Sequence, residues 1–219
     1  MYIELTTADK HTLNAYVVGP EDAQHGLVVV QEIFGVNSHM RSVADTFAQH
    51  GYRVICPALF DRIERQVELD YEPHDIQRGL ALRNQIAVAD SLMDLTAAAI
   101  ALGKPASTGI VGYCWGGTLS WLAATHSHQF SAASCWYGGS IAKSKDETPH
   151  IPVQMHFGLH DKSIPVTDID AIRHAQPQVA IYTYDADHGF GCEQRASYQP
   201  KATEQALQRT LEFFQTTLN

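Results

Sequence analysis

Cys114 sits in the segment Gly112-Tyr113-Cys114-Trp115-Gly116-Gly117, a thiol with a glycine two residues away on either side. The spacing is that of G-x-S-x-G with cysteine in place of serine, the pattern of a strand that turns at once into a helix. Such a turn forces its apex residue into strained backbone, and bulky neighbours on either side would collide, so the flanking positions need glycine. The apex side chain is lifted to the edge of the sheet. Its sulfur lies near a helix N-terminus, where partial positive charge favours the thiolate. A thiolate held this way attacks activated carbonyl carbons. Taken alone, the segment also fits a Gly-rich turn around a buried structural cysteine.

The order of possible partners decides between these readings. Asp161 lies in Gly158-Leu159-His160-Asp161-Lys162, just past an apolar run from Val153 to Phe157. His188 lies in Asp185-Ala186-Asp187-His188-Gly189, just past the run from Val179 to Tyr184. Nucleophile, acid and histidine thus follow in the chain order that the strand-turn-helix motif requires. In this reading His188 is the base for Cys114, and Asp161 fixes the imidazole tautomer. Asp185, Asp187 and His160 are nearby alternatives; a residue adjacent to His188 points away from its ring and rarely orients it.

These residues need a sheet to carry them. Alternation over Tyr2 to Thr7 and Thr12 to Val18 predicts an N-terminal hairpin turning at Asp9-Lys10. Short apolar runs predict strands at Leu27 to Val30, Arg53 to Cys56, Thr108 to Tyr113, Ala132 to Trp136, Val153 to Phe157 and Val179 to Tyr184. Helices are expected from a Ser38 cap to His50 with Gly51 closing, from about Leu80 to Leu102 with Gly103 and Pro105 ending it, from Trp115 to Thr125, and from Lys201 to Leu218. Residues 60–76 are polar, contain Pro73 and show no period, which suggests an excursion over the sheet. Strands alternating with helices give the α/β class: an α/β-hydrolase fold with a mostly parallel central sheet and helices on both faces, in one domain over residues 1–219.

Bulk composition narrows the function. The 219 residues carry a formal charge of −9, and the 15 Lys and Arg form no run, so a surface for nucleic acid is not expected. No apolar stretch of membrane-spanning length and no leader-like N-terminus is seen, and the four cysteines form no C-x-x-C pair. A cytoplasmic protein is expected. Of the twelve histidines, His126 and His128 come nearest to ligand spacing but would face apart on a helix, so neither metal nor cofactor is expected. Cys56 and Cys135 fall in predicted strands and read as buried and inert.

Val30-Gln31-Glu32-Ile33-Phe34-Gly35-Val36-Asn37, Gly51-Tyr52, Cys56-Pro57 and the Gly112–Gly117 segment together resemble the dienelactone hydrolase family, from about residue 26 to the C-terminus. The resemblance implies a compact hydrolase without a large cap domain that opens cyclic enol-lactones through a cysteine. It implies Cys114, Asp161 and His188 as the triad, Glu32 as the family's additional glutamate beside the resting thiol, and the backbone N–H groups of Ile33 and Trp115 as the oxyanion hole. The position of Glu32, just past an apolar run, agrees: it emerges at the active edge of the sheet, where a carboxylate should pair with a cation or titrate upward.

One departure bears on the substrate. The family's best-known members carry an arginine four residues after the histidine, where this chain has Cys192; the nearest arginine is Arg195. Arg78 and Arg83 are counterparts for a second family arginine, and Tyr137 is a further candidate for the pocket wall. The expected function is hydrolysis of a small ester or lactone by a monomer or small homo-oligomer, through an acyl-thioester. The alternatives are a general carboxylesterase or thioesterase on the same triad, a binding protein with a vestigial triad, and a redox-responsive thiol protein.

Overall fold

The computed structural model describes residues 1–103 and 107–218. Eight strands, β1 (Tyr2–Thr6), β2 (Thr12–Val18), β3 (Gly26–Val30), β4 (Arg53–Pro57), β5 (Thr108–Tyr113), β6 (Ala132–Trp136), β7 (Val153–Gly158) and β8 (Ala180–Tyr184), form one sheet in the order β1-β2-β4-β3-β5-β6-β7-β8. β1, β2 and β4 pair antiparallel, and β4 through β8 run parallel. The hairpin, the parallel sheet and the strand positions agree with the sequence reading to within a residue or two, the ordinary uncertainty of strand ends.

Among the described residues six α-helices flank the sheet: α1 (Ser38–Gln49), α2 (Pro73–Arg83), α3 (Val88–Ala101), α4 (Trp115–His126), α5 (Val166–Ala175) and α6 (Pro200–Thr217). α3 and α4 pack together on one face. Positions 109 and 112 of β5 look to opposite sides: a Cβ on Gly109 would meet Phe214 of α6, and one on Gly112 would meet Gly116 of α4. Cover on both faces explains why every residue of β3 and β5 is buried and why these strands read as unbroken apolar runs.

Four local expectations are corrected. The single helix from Leu80 to Leu102 is two helices. Leu82 and Ile86 are both buried, so the apolar spacing continues across the break, but Asn84 ends α2 and Ala87 is extended before α3. Pro105, expected to help end that helix, lies outside the described residues. Pro73 opens α2 instead of marking an irregular stretch, since proline at the first helical position loses no hydrogen bond there. Asn37, not Ser38, caps α1, its Oδ1 accepting the Met40 N–H at 3.1 Å. α5, with only Ile169 and Ile172 fully buried, showed too little apolar periodicity to be read. Among the described residues no helix is long and apolar enough to cross a membrane.

Candidate active site

In parallel α/β sheets, side chains that bind ligands gather beyond the carboxyl ends of the strands. Three loops meet there in this structure. Cys114 follows β5 directly and has φ 56° and ψ −114°, the left-handed backbone expected of an elbow apex. The turn is this tight because α4 lies almost on the sheet: a Cβ on Gly112 would stand 2.0 Å from the Gly116 carbonyl oxygen, and one on Gly116 would stand 2.3 Å from that of Val30. No side chain fits either position.

Asp161 follows β7 and His188 follows β8. His188 Nε2 lies 3.1 Å from Cys114 Sγ, and its Nδ1 lies 2.6 Å from Asp161 Oδ2. The other carboxylate oxygen of Asp161 accepts the Ser163 N–H at 2.7 Å, so both of its oxygens are held. Asp187 accepts the backbone N–H of His188, and Asp185 is exposed and pairs with His160. None of these three alternatives is brought to the imidazole edge; Asp161 is.

The electrostatics follow from this contact. Burial, the largest influence on His188, disfavours the cation. The Cys114 charge, the hydrogen bonds that the imidazolium donates to Asp161 and Cys114, and the Asp161 charge outweigh it and raise the imidazole to about 10. Sulfur at 3.1 Å from Nε2 and carboxylate at 2.6 Å from Nδ1 thus favour the protonated imidazole. The folded value exceeds the ordinary 6.5, so the contribution of the His188 proton to folding stability is complete below pH 6.5 and disappears as pH rises through about 10. Replacing Cys114 by serine removes the neighbouring negative charge and leaves burial dominant. In that variant His188 is expected to titrate well below its wild-type midpoint, read from its imidazole NMR shift; an unchanged midpoint would show that the sulfur does not hold the imidazole proton.

A cavity of about 410 Å³ opens above the sulfur, within the range of small-molecule sites. Ile33, Phe34, Trp115, Ile76 and Leu80 supply apolar walls, and Arg83 and Arg195 supply cations. Trp115 is the first residue of α4, so its N–H is one of the helix's free terminal donors, and Ile33 borders the same cavity. Arg195 is largely buried, its guanidinium over the rings of Phe34 and Tyr71 at 5.7 and 5.8 Å. Arg83 is half-buried at the end of α2.

Two expected contacts fall elsewhere. Arg78 points to the surface and pairs with Glu64 at 2.5 Å, away from the cavity. Tyr137 is fully buried and stands edge-on to the His188 ring, 5.3 Å between centroids, so it backs the imidazole and does not face substrate. Ile76 and Leu80 went unrecognised because their i, i+4 spacing reads as a core stripe; Leu80 is 40% exposed because that stripe borders a cavity.

Glu32 is fully buried, and neither of its carboxylate oxygens has a hydrogen-bond partner. The expected cation is present but distant, Arg195 Nη1 at 3.9 Å. The carboxylate groups with His39 and Cys192. Burial lowers the His39 imidazole from its ordinary value, and burial together with the Glu32 charge pushes the Cys192 thiol up to about 11.

With this architecture in view, its relatives are informative. The family model for the dienelactone hydrolase family matches residues 13–218. This chain belongs to the dienelactone hydrolase family. A Synechocystis protein named "Putative carboxymethylenebutenolidase" is 38% identical over 213 residues, covering 88% of this chain and 86% of the relative. The carboxymethylenebutenolidase of Pseudomonas putida is 30% identical over 223 residues, covering 96% and 94%. The crystal structure of a "Putative Dienelactone Hydrolase" from Klebsiella pneumoniae superposes with a TM-score of 0.82 at 30% identity, covering 98% of each chain. The mostly parallel sheet matches the fold of the Klebsiella pneumoniae structure, and no cap domain is evident among the described residues.

Proposed function

We propose that this family member hydrolyses small esters and lactones, cyclic enol-lactones among them, through a Cys114–His188–Asp161 triad and an acyl-thioester. One observation carries the reading: sulfur, imidazole and carboxylate in contact at 3.1 and 2.6 Å beneath a cavity of small-molecule size. The name of the Pseudomonas putida relative supports a lactone substrate. The same reading takes residues 1–219 as a single hydrolase domain, supported by one continuous sheet, working in the cytoplasm as a monomer or small homo-oligomer.

In the first stage the Cys114 thiolate forms a bond to the carbonyl carbon, and the backbone N–H groups of Ile33 and Trp115 hold the oxyanion. The carbon–oxygen bond to the leaving group breaks as His188 Nε2 donates its proton to that oxygen. The sulfur, now in a thioester, no longer carries charge, so the imidazole loses the influence that held its proton and becomes a base. It takes a proton from water as the water attacks. The carbon–sulfur bond then breaks, and thiolate and imidazolium are restored. Thiolate is a good leaving group, so activated esters react in preference to amides.

Arg195 and Arg83 on the cavity wall point to a substrate bearing a carboxylate beside its reacting carbonyl. The test compares a carboxylate-bearing enol-lactone with p-nitrophenyl acetate. Wild type is expected to turn over both. Arg195→Gln is expected to raise KM for the charged lactone by about 10–100-fold, the value of a hydrogen bond to a charged group, and to leave the neutral ester within about threefold. No turnover of either substrate by wild type would overturn the proposed function. Equal effects on the two would remove Arg195 from substrate recognition.

A further inference from the structure

Glu32 is unusual in electrostatic terms. Its carboxylate is fully buried without a hydrogen bond to either oxygen, and a guanidinium at 3.9 Å is too far to donate one. A buried charge is ordinarily paired, hydrogen-bonded or bound to a metal. Two buried side chains with metal-ligand chemistry lie beside it. His39, the second residue of α1, is 3% exposed, and its Nε2 has no partner; Cys192 is fully buried in the loop between β8 and α6. One carboxylate oxygen, one imidazole nitrogen and one sulfur lie within 4.8 Å of one another, and this is the one such group of three among the described residues.

We propose that Glu32, His39 and Cys192 form a binding site for a single zinc ion. The ligand types are those zinc takes: carboxylate oxygen, imidazole nitrogen and thiolate sulfur. Bonds of about 2.0–2.3 Å to a tetrahedral ion put neighbouring ligand atoms roughly 3.3–3.7 Å apart, so a contraction of at most about 1.5 Å from the present spacing closes the site. Short displacements of three side chains supply it. The Tyr71 hydroxyl and the Gln194 backbone N–H stand beside the Cys192 sulfur, and such donors support a ligating thiolate.

His39 and the two neighbours of Cys192 in the chain, Gly191 and Glu193, border a second cavity of about 110 Å³, from which an ion can approach the cluster. A cation on Glu32 takes over the charge that Arg195 faces now. The guanidinium, which already lines the substrate cavity, is then freed for an anionic substrate. The ion also ties the segment carrying Ile33 to the loop carrying His188, fixing two walls of the site against each other.

The nearest competitor for zinc is the Cys114–His188 pair, and the experiment separates the two. Protein stripped with a chelator is titrated with zinc against a chromophoric chelator, and in parallel loaded with cobalt for its absorption spectrum. Wild type and Cys114→Ser are both expected to bind one zinc per chain and to show a thiolate-to-cobalt charge-transfer band. Cys192→Ala and His39→Leu are expected to lose more than about 100-fold in zinc affinity, beyond the loss seen when a residue merely hydrogen-bonded to a ligand is changed. Cys192→Ala should also lose the charge-transfer band. Cys56 and Cys135, fully buried in strands, are not sources of that band.

Failure of wild type to take up stoichiometric zinc overturns the proposal. So does uptake that survives Cys192→Ala and vanishes with Cys114→Ser, because the ion would then belong to the triad. If neither site variant folds, the cobalt spectrum of Cys114→Ser decides alone: its charge-transfer band upholds the site, and the lack of that band sinks it. None of these readouts depends on ester hydrolysis, so the zinc site and the hydrolase reading stand or fall separately.

Discussion

Alanine at position 114 is expected to lower kcat for lactone and aryl-ester hydrolysis by about 10⁶-fold, the loss that follows removal of a triad nucleophile. In the proposed mechanism one sulfur performs three tasks: it attacks, it carries the acyl group, and from 3.1 Å its charge holds the proton on His188. The cavity walls come from other residues, so binding of a product or inhibitor should change little. The proposed oxyanion donors, the N–H groups of Ile33 and Trp115, should leave a residual acceleration of roughly 10³-fold over the uncatalysed reaction. Intact-mass measurement with a slowly deacylating aryl ester should find one acyl group on wild type and none on the variant. Turnover by Cys114→Ala at the parent rate would end the mechanism.

The second large effect concerns the tautomer. Asp161→Asn keeps nearly the same shape, and its amide oxygen still accepts the Ser163 N–H. The amide nitrogen then faces His188 Nδ1 and donates to it, which places the imidazole proton on Nε2, pointing at the sulfur. An imidazole in that form takes no proton from the thiol. A drop in kcat of about 10⁴-fold is expected, the scale seen when a triad aspartate becomes asparagine. Iodoacetamide should alkylate Cys114 more slowly near neutral pH, with the rate recovering as alkali ionises the thiol directly. Asp185→Asn is the control: that carboxylate is 92% exposed and pairs with His160, so its loss should leave the rate unchanged. If Asp161→Asn retains parent activity and alkylation, the carboxylate is not orienting the ring.

Much of this was legible in the residues themselves. The glycines around Cys114 are required by backbone approaches near 2 Å, and contacts that close leave a mark in sequence because no other residue fits. The loops bearing Asp161 and His188 were found because apolar strands announce their ends. Helix α2 was misread for the opposite reason. Leu82 and Ile86 continue a helical spacing through a break made by Asn84 and Ala87, and neither of those residues excludes a helix. Ile76 and Leu80 look the same in sequence whether they cover a core or border a cavity.

The sequence by itself determined the sheet and the elbow, and it singled out Cys114, Asp161 and His188, which the structure brings into contact, because each depends on local backbone geometry or on chain order. Tertiary structure alone decided which neighbours surround Glu32, that Arg195 enters the cavity while Arg78 turns away, and that Tyr137 backs the imidazole. Those outcomes depend on how distant loops pack over the sheet edge. Glu32 and Cys192 are 160 positions apart in the chain, and no local pattern encodes a distance between them.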